Sequence, residues 1–97
     1  MRLSELFREV EFDGSIKNDA DINLVTDDSR LVRPGSLFVC IRHRSFDGHT
    51  AAVDALASGA AAVVTQNRLG LENELRVAES RSAYARLCAA LCNHPER

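Results

Sequence analysis

The sequence predicts an α/β fold, a layered sandwich in which a mainly parallel sheet of about four to five strands is flanked by helices. Residues 37–41 form a continuous apolar run bounded by turn residues, which is typical of a strand covered on both faces. This run, an amphipathic segment over 48–58 and a β-branched run over 60–65 make a strand–helix–strand unit. Segments with helical periodicity near both ends of the chain are predicted to form the flanking helices.

The first half of the chain predicts a helix followed by two strands. Apolar residues recur every three or four positions over 3–10, which indicates a short amphipathic helix. Apolar and polar side chains alternate over 22–26, as in a strand with one buried face, and the turn-forming residues 27–29 end it. Pro34-Gly35 is a turn signal directly before the buried strand over 37–41.

The second half predicts a helix, two strands and a final helix. Asp47 is a candidate N-cap for the helix over 48–58, which Gly59 ends. The strand over 60–65 leads through a loop to a short strand over 75–78. Ser80 is predicted to cap a last helix, which the segment Asn93-His94-Pro95 stops.

Length and composition indicate one domain, residues 1–97, that can bury a core without metal or disulfide cross-links. Three cysteines, an odd number set in apolar patterns, indicate buried thiols in a reducing compartment. The N-terminus lacks the apolar core of a signal peptide, and no apolar run is long enough to cross a bilayer. We therefore expect a cytoplasmic domain without a membrane partner.

Charge is unevenly distributed along a chain whose formal net charge is −2. Residues 29–50 carry four arginines against one aspartate, whereas the preceding residues are strongly acidic. Scattered solvated charge and an anionic ligand explain this basic segment about equally well. One short cluster without interleaved aromatic residues is too small a footprint for nucleic acid, so we expect no nucleic-acid partner.

Asp28-Ser29-Arg30 places a carboxylate, a hydroxyl and a guanidinium at the end of a predicted strand. A serine hydroxyl can match the edge of a nucleobase, and arginine binds phosphate. A solvated turn explains the same residues, and on chemistry alone it is favoured by about two to one. At Asp47-Gly48-His49, helix capping fully explains the aspartate, but the free N–H groups of a helix start also suit an anion.

The sequence predicts neither catalysis nor metal binding by this chain alone. It has no Gly-x4-Gly-Lys-Ser/Thr loop, and its single lysine, Lys17, lies in a polar loop. No Ser/His/Asp or Cys/His set stands in a recognisable context. Cys88, Cys92 and His94 do not make a zinc site, because Cys88 belongs to an apolar stripe and a fourth ligand is lacking. We expect no cofactor in this chain.

Four motifs, in this order and at this spacing, resemble the N-terminal domain of the Mur ligases. They are Asp28-Ser29-Arg30, Pro34-Gly35-Ser36-Leu37-Phe38-Val39-Cys40, Asp47-Gly48-His49 and Gly59-Ala60-Ala61-Ala62-Val63-Val64. The resemblance runs from about residue 22 to the Asn93-His94-Pro95 segment. The most similar type is MurE, UDP-N-acetylmuramoyl-L-alanyl-D-glutamate:amino-acid ligase (UDP-N-acetylmuramoyl-tripeptide synthetase).

The resemblance implies a three-domain, ATP-dependent ligase that adds the third amino acid, diaminopimelate or lysine, of the peptidoglycan stem peptide. This domain would hold the uridine diphosphate part of the UDP-N-acetylmuramoyl-dipeptide substrate, and its partner would be the central domain of the same chain, which binds ATP and Mg²⁺. ATP would phosphorylate the peptide carboxylate, and the incoming amine would attack the acyl-phosphate. Residues 1–97 are thus expected to be an N-terminal domain excised from a longer ligase.

Matched position by position, the resemblance assigns substrate-binding residues. Ser29 matches the serine that contacts uracil, and Asp27 occupies the neighbouring uridine-contact position. Arg44, Ser45 and Phe46 match the loop that lies against the uridine and the diphosphate.

Two further residues complete the predicted site. Arg30 is a candidate phosphate contact in the same strand-end motif. His43 stands where the family commonly has glycine, which permits backbone conformations that histidine reaches only with strain. The path of this loop is therefore a question for the structure; stacking on the ligand or donation to phosphate would compensate for the loss of the glycine.

Two alternatives remain open. The ligase that adds D-alanyl-D-alanine shares a similar Phe46-Asp47-Gly48-His49 loop, although the Cys40 strand and the His94-Pro95 ending favour the MurE type. A stand-alone adaptor or structural domain would have the same fold and no nucleotide site.

Overall fold

The computed structural model describes residues 1–92 and shows one four-stranded sheet between two helical layers. The strands are β1 Leu24–Thr26, β2 Ser36–Val39, β3 Ala62–Thr65 and β4 Glu74–Arg76. Their order in the sheet is β1-β2-β3-β4, and every neighbouring pair is parallel. The predicted layered α/β sandwich is confirmed, with a sheet that is parallel throughout these residues.

Within residues 1–92, three α-helices and two 3₁₀ turns surround the sheet. The helices are α1 Leu3–Leu6, α2 Ala52–Ala57 and α3 Ser80–Cys92, and the 3₁₀ turns are Ser29–Leu31 and Gly48–Ala51. The first 3₁₀ turn follows β1, and the second leads directly into α2. Both turns therefore lie next to segments that the sequence assigns to binding.

Strand β2 separates two apolar cores. Leu37 and Val39 face one core, to which α1 and α3 contribute Leu6 and Leu87. Phe38 faces the other core, which includes Ala52 and Ala55 of α2. All residues of β2 are buried, which explains why the strand reads as a continuous apolar run instead of an alternating one.

The three connections between strands cross the face of the sheet that α2 covers. Val32, Leu56 and Leu71, one from each connection, pack against the core that contains Phe38. Parallel strands whose order follows the chain place their connections on one face when each crossover has the usual right-handed sense. The opposite face is left to α1 and α3.

The first helix is shorter than the predicted span of 3–10 and ends at Leu6. The following residues turn back so that Asp13 can pair with Arg76 at the outer edge of β4, with N–O distances of 2.7 and 2.8 Å. Phe7 packs edge-on against Phe12 within this turn, with ring centroids 5.0 Å apart. Long-range pairing with the sheet thus overrides the helical periodicity of the segment.

Other element boundaries shift by one to three residues. The predicted helix over 48–58 begins as a 3₁₀ turn and becomes α-helical at Ala52. The strands predicted over 22–26 and 75–78 are observed as Leu24–Thr26 and Glu74–Arg76. The predicted stop at 93–95 lies outside the described residues. Within residues 1–92, no helix combines the length and apolar character needed to cross a membrane.

The cysteines only partly follow the expectation of buried thiols. Cys40 is fully buried, and burial, with the nearby charges of Asp47 and Glu74, raises the pKa of its thiol to about 12. Cys88 is half-buried, and Cys92 is exposed. The prediction was therefore wrong for Cys92.

Candidate functional site

The candidate site lies where β1 and β2 end at the same edge of the sheet. A cleft of about 420 Å³ opens there between the segment after β1 and the loop after β2. It is lined by Asp27, Asp28, Ser29, Arg30, His43 and Phe46. Five of the seven predicted site residues are among these, while Arg44 and Ser45 are not. Crevices outside the carboxyl ends of parallel strands are the usual ligand sites of such sheets.

The first wall of the cleft is built around the carboxylate of Asp28. The backbone N–H of Asp28 donates to the hydroxyl of Thr26 at 3.0 Å, and this bond turns the chain away from β1. Its Oδ1 accepts the backbone N–H of Arg30 at 2.9 Å and so caps the 3₁₀ turn Ser29–Leu31. Ser29 is half-buried between these residues and makes no side-chain hydrogen bond within residues 1–92. Its hydroxyl is available to a ligand in the cleft.

Arg30 folds back onto Asp28. Its Nε donates to Oδ1 at 3.0 Å and its Nη2 to Oδ2 at 2.9 Å, although the side chain is 87% exposed. The hydrogen bonds from the Arg30 side chain and backbone hold the pKa of Asp28 below its usual range. Arg30 therefore enters the cleft with its charge already balanced.

The second wall is a tight reverse turn over residues 43–46. The N–H of His43 donates to the carbonyl of Phe46 at 2.6 Å, and the N–H of Phe46 donates back at 3.4 Å. Just below the turn, Arg42 and Asp47 form an antiparallel bridge. This geometry directs His43 and Phe46 to the cleft and leaves Arg44 and Ser45 exposed at the tip.

His43 links the two walls. Its Nε2 lies 3.6 Å from Oδ2 of Asp27, which follows β1. Among residues 1–92, Asn73 is the one residue other than glycine with a positive φ, so the backbone of His43 stays in an ordinary region. The strain that a glycine-requiring loop would impose on this histidine does not arise, because the turn takes a path open to any L-residue.

Behind the loop, Asp47 acts as the predicted N-cap. Its Oδ1 accepts the backbone N–H of His49 at 3.0 Å and contacts Nδ1 of the same residue at 2.8 Å. These bonds from His49, together with the charge of Arg42, lower the pKa of Asp47. Asp47, Gly48 and His49 do not line the cleft, so this motif supports the loop from behind.

Sequence reasoning left Asp28 out of the predicted binding residues, although its motif was identified. Its interpretation as a turn former is correct but incomplete, because the same carboxylate also lines the cleft and neutralises Arg30. The contact between His49 and Gln66 was also missed, and nothing in the spacing of these residues signals it.

Other parts of residues 1–92 offer less to a nucleotide. No group of three or more metal-ligating side chains occurs within this range; Cys88 and Cys92 lie on α3, and His94 is outside the described residues. A larger groove of about 910 Å³ runs between residues 8–13 and β4. It contains none of the predicted site residues, and Asp13 and Arg76 within it already pair at 2.7 Å.

Comparison with known proteins identifies the family of this chain. Residues 21–91 match the family model described as "Mur ligase family, catalytic domain". The chain belongs to the Mur ligase family. This segment of a Mur ligase contains all four strands of the sheet and both walls of the cleft.

Curated Mur ligases are similar over the whole chain. The UDP-N-acetylmuramyl-tripeptide synthetase of Deinococcus radiodurans is 36% identical over 104 aligned positions, covering 100% of this chain and 21% of the relative. The UDP-N-acetylmuramoyl-L-alanyl-D-glutamate–2,6-diaminopimelate ligase of Syntrophomonas wolfei is also 36% identical, with the same coverage. The chain thus spans about a fifth of the length of these relatives.

Solved structures with this fold include two MurF ligases. The MurF ligase from Thermotoga maritima in complex with ADP has a TM-score of 0.65 and 29% identity, covering 73% of this chain and 17% of that one. A MurF structure from Acinetobacter baumannii has a TM-score of 0.75 at 22% identity, covering 89% and 20%. The second likeness, at this identity, shows the fold alone.

Proposed function

We propose that this Mur ligase segment binds the uridine diphosphate part of a UDP-N-acetylmuramoyl-peptide as the N-terminal domain of a MurE-type enzyme. The observation that carries the proposal is the cleft, which brings the strand-end motif at 27–30 and the loop at 43–46 to one edge of the sheet. The names of relatives that match over the full chain support the MurE type.

The residues of the cleft suit a uridine. The free hydroxyl of Ser29 and the carboxylate of Asp27 offer an acceptor–donor edge of the kind that a pyrimidine needs. Phe46 is 47% exposed and presents an apolar ring on which a base can stack. A flat, polar-edged group with one apolar face therefore matches this cleft.

The diphosphate would lie toward the cationic side of the loop. His43 and Arg30 line the cleft from opposite walls, and Arg44 follows His43 at the exposed tip of the loop. Arg44 has no ion pair within residues 1–92, whereas Arg30 is paired with Asp28. Arg44 is thus the cation that a diphosphate engages without first breaking an existing contact.

We assign the chemistry of ligation to the remainder of the protein. The chain has no P-loop, so its own residues do not fit ATP and Mg²⁺, and the partner of this domain is the central ATP-binding domain of the same ligase. In this proposal residues 1–97 are one N-terminal domain of a cytoplasmic, ATP-dependent ligase that adds diaminopimelate or lysine.

Titration of the chain with UDP, followed by amide chemical shifts, tests the proposal. We expect the largest shift changes at Ser29 and Arg44, with millimolar or tighter affinity, since the other domains are absent. ADP serves as the control nucleotide and should bind more weakly, because a purine does not match a pyrimidine edge. The absence of shift changes at both residues with millimolar UDP would contradict the proposal and favour the adaptor alternative.

The D-alanyl-D-alanine-adding ligase remains the second candidate, because the Thermotoga maritima neighbour is a MurF ligase. A domain exchange separates the two. This chain would replace the corresponding domain of a MurE ligase and, in parallel, that of a MurF ligase. The proposal expects activity in the first chimera with its own substrate; activity confined to the second would support the MurF assignment.

A further inference from the structure

Behind the loop of the proposed site, polar contacts and the peptide bond between Ser80 and Arg81 join six residues in a closed circuit, which we call the ring. The ring consists of Arg42, Asp47, His49, Gln66, Ser80 and Arg81. It joins the base of the loop to the end of β3 and to the first turn of α3. None of its members lines the cleft.

His49 is the buried centre of the ring, with a side chain that is 7% exposed. Its Nε2 accepts the backbone N–H of Gln66 at 2.9 Å, so this nitrogen carries no proton. The proton of the neutral imidazole is therefore on Nδ1 and is donated to Asp47 at 2.8 Å. One side chain thus ties the N-cap of the second 3₁₀ turn to the residue after β3.

The remaining contacts close the ring through α3. Oε1 of Gln66 accepts both the backbone N–H and the hydroxyl of Ser80, at 2.6 and 2.8 Å. Nη2 of Arg81 donates to the carbonyl of Arg42 at 3.0 Å. Nε of Arg42 in turn lies 3.5 Å from Oδ2 of Asp47. The start of α3 is therefore bonded to the base of the loop from two directions.

We infer that His49, Gln66 and Arg81 are positioning residues for the proposed uridine diphosphate site. The inference rests on the proposed function. Residues 42–46 are exposed along their whole length, and the two backbone bonds within the turn fix its shape without fixing its direction. Beyond the contact of His43 with Asp27, the direction is set at the base of the loop. There the N–H of Gly48 donates to the carbonyl of Ile41 at 2.9 Å, Arg81 holds the carbonyl of Arg42, and His49 holds the N-cap.

Arg81→Ala is the decisive substitution, because Arg81 is exposed and its removal leaves both cores intact. We expect UDP to bind about fivefold more weakly, because the variant loses one net hydrogen bond that orients the loop. The amides of His43 and Gly48 should also exchange faster with solvent. Arg81→Lys, which keeps a donor, should restore part of the affinity. Arg86→Ala on the same helix is the matched control and should leave binding and exchange unchanged.

His49 provides a second, independent test. His49→Gln keeps an acceptor for the N–H of Gln66, whereas His49→Ala removes it, so the alanine variant should lose more UDP affinity than the glutamine variant. Equal losses in the two variants would overturn the positioning role of His49. Thermal unfolding of both variants identifies any general loss of the fold.

The outcomes separate this inference from the proposed function. If the unaltered chain binds UDP and Arg81→Ala binds it equally well, the positioning role is overturned and the proposed function stands. If the unaltered chain does not bind UDP, the proposed function fails. Amide exchange then decides: faster exchange at His43 and Gly48 in Arg81→Ala supports the ring as the support of the loop, and unchanged exchange overturns it.

Discussion

The carboxylate of Asp28 caps the turn after β1 and, through both oxygens, holds the guanidinium of Arg30 at 2.9 and 3.0 Å. The Asp28 side chain therefore has two opposite effects on the binding of an anionic ligand, one favourable and one unfavourable. The cap shapes the wall of the cleft, while the charge of the carboxylate neutralises a nearby cation and repels phosphate.

Replacing Asp28 with asparagine should separate these effects. Asparagine keeps an oxygen for the N-cap and removes the negative charge, so Arg30 is released toward the cleft. We expect UDP to bind several-fold more tightly, with a steeper dependence on salt, measured by isothermal titration calorimetry. Asp54→Asn, which removes the same charge outside the cleft, is the control. Unchanged affinity in Asp28→Asn would show that the diphosphate does not approach this wall.

Ser29→Ala should weaken UDP binding about fivefold, since the lost hydroxyl supplies one net hydrogen bond. Because the hydroxyl makes no bond within residues 1–92, the melting temperature should not change. Fluorescence or calorimetric titration with UDP provides the measurement, and Ser58→Ala at the exposed end of α2 provides the control. Equal losses in the two variants would argue against uracil recognition by Ser29.

Glu74 should contribute strongly to stability. The residue is 8% exposed, and its carboxylate accepts bonds from the hydroxyl of Thr65 and the N–H groups of Leu69 and Leu71, at 2.8 to 3.0 Å. Glu74→Gln turns an amide nitrogen toward at least one of these donors. We expect the free energy of unfolding in urea at pH 7 to fall by about 2 kcal/mol. Glu72→Gln, at an exposed position in the loop just before β4, should have little effect.

The effect of Glu74 should also depend on pH. Burial raises the pKa of this carboxyl, but the hydrogen bonds from Leu69, Leu71, Thr65 and Gly70 outweigh burial and lower it below the ordinary value of 4.5. Because its pKa is lowered, the ionised carboxylate of Glu74 stabilises the fold above pH 4.5. This stabilisation is lost as the pH falls through the lowered pKa. In urea unfolding across this range, the difference in stability between the unaltered chain and the Glu74→Gln variant should shrink on acidification. A constant difference would contradict the assignment.

Gly48→Ala should destabilise the fold by steric conflict. A Cβ at this position would lie 2.8 Å from the backbone nitrogen of Ile41 and 3.0 Å from its oxygen, and neither atom can move freely. We expect a loss of about 2–3 kcal/mol in thermal or urea unfolding. Gly70→Ala is the comparison, since it meets no atom within 4 Å but has a φ of +76°, and should cost about 1 kcal/mol from backbone strain alone. A smaller loss at Gly48 than at Gly70 would contradict the close approach.

The elements that could be predicted from the sequence are those that local patterns determine. The continuous apolar run in β2 reports burial on both faces, and the capping chemistry of Asp47 marks where a helical segment begins. The cap predicted at Ser80 is wrong, because Ser80 is the first residue of α3 and its hydroxyl donates to Gln66, while the carboxylate of Glu79 accepts the N–H of Ser82. The prediction made the first helix too long, because its apolar periodicity continues to Val10. The pairing of Asp13 with β4, which ends the helix early, depends on residues more than sixty positions away. Local sequence carries no signal of such a contact.

The candidate site was predicted to a similar extent. The resemblance to the Mur ligases grouped Ser29, His43 and Phe46 as site residues, and the structure places them around one cleft. Their part in binding stays a prediction. The ion pair of Arg30 with Asp28 and the bond from Gln66 to His49 could not be predicted, because rotamers and the relative placement of strand ends decide both.

The order β1-β2-β3-β4 also has a consequence for how the protein folds. Each strand pairs with the strand that follows it in the chain. The partners are Val25 and Leu37, Phe38 and Val63, and Val64 and Leu75, which are 12, 25 and 11 positions apart. Loop-closure entropy grows slowly over such distances, about 0.6 kcal/mol per doubling. The sheet can therefore grow strand by strand as the chain leaves the ribosome, and the packing of α1 against α3 follows once both helices have been made.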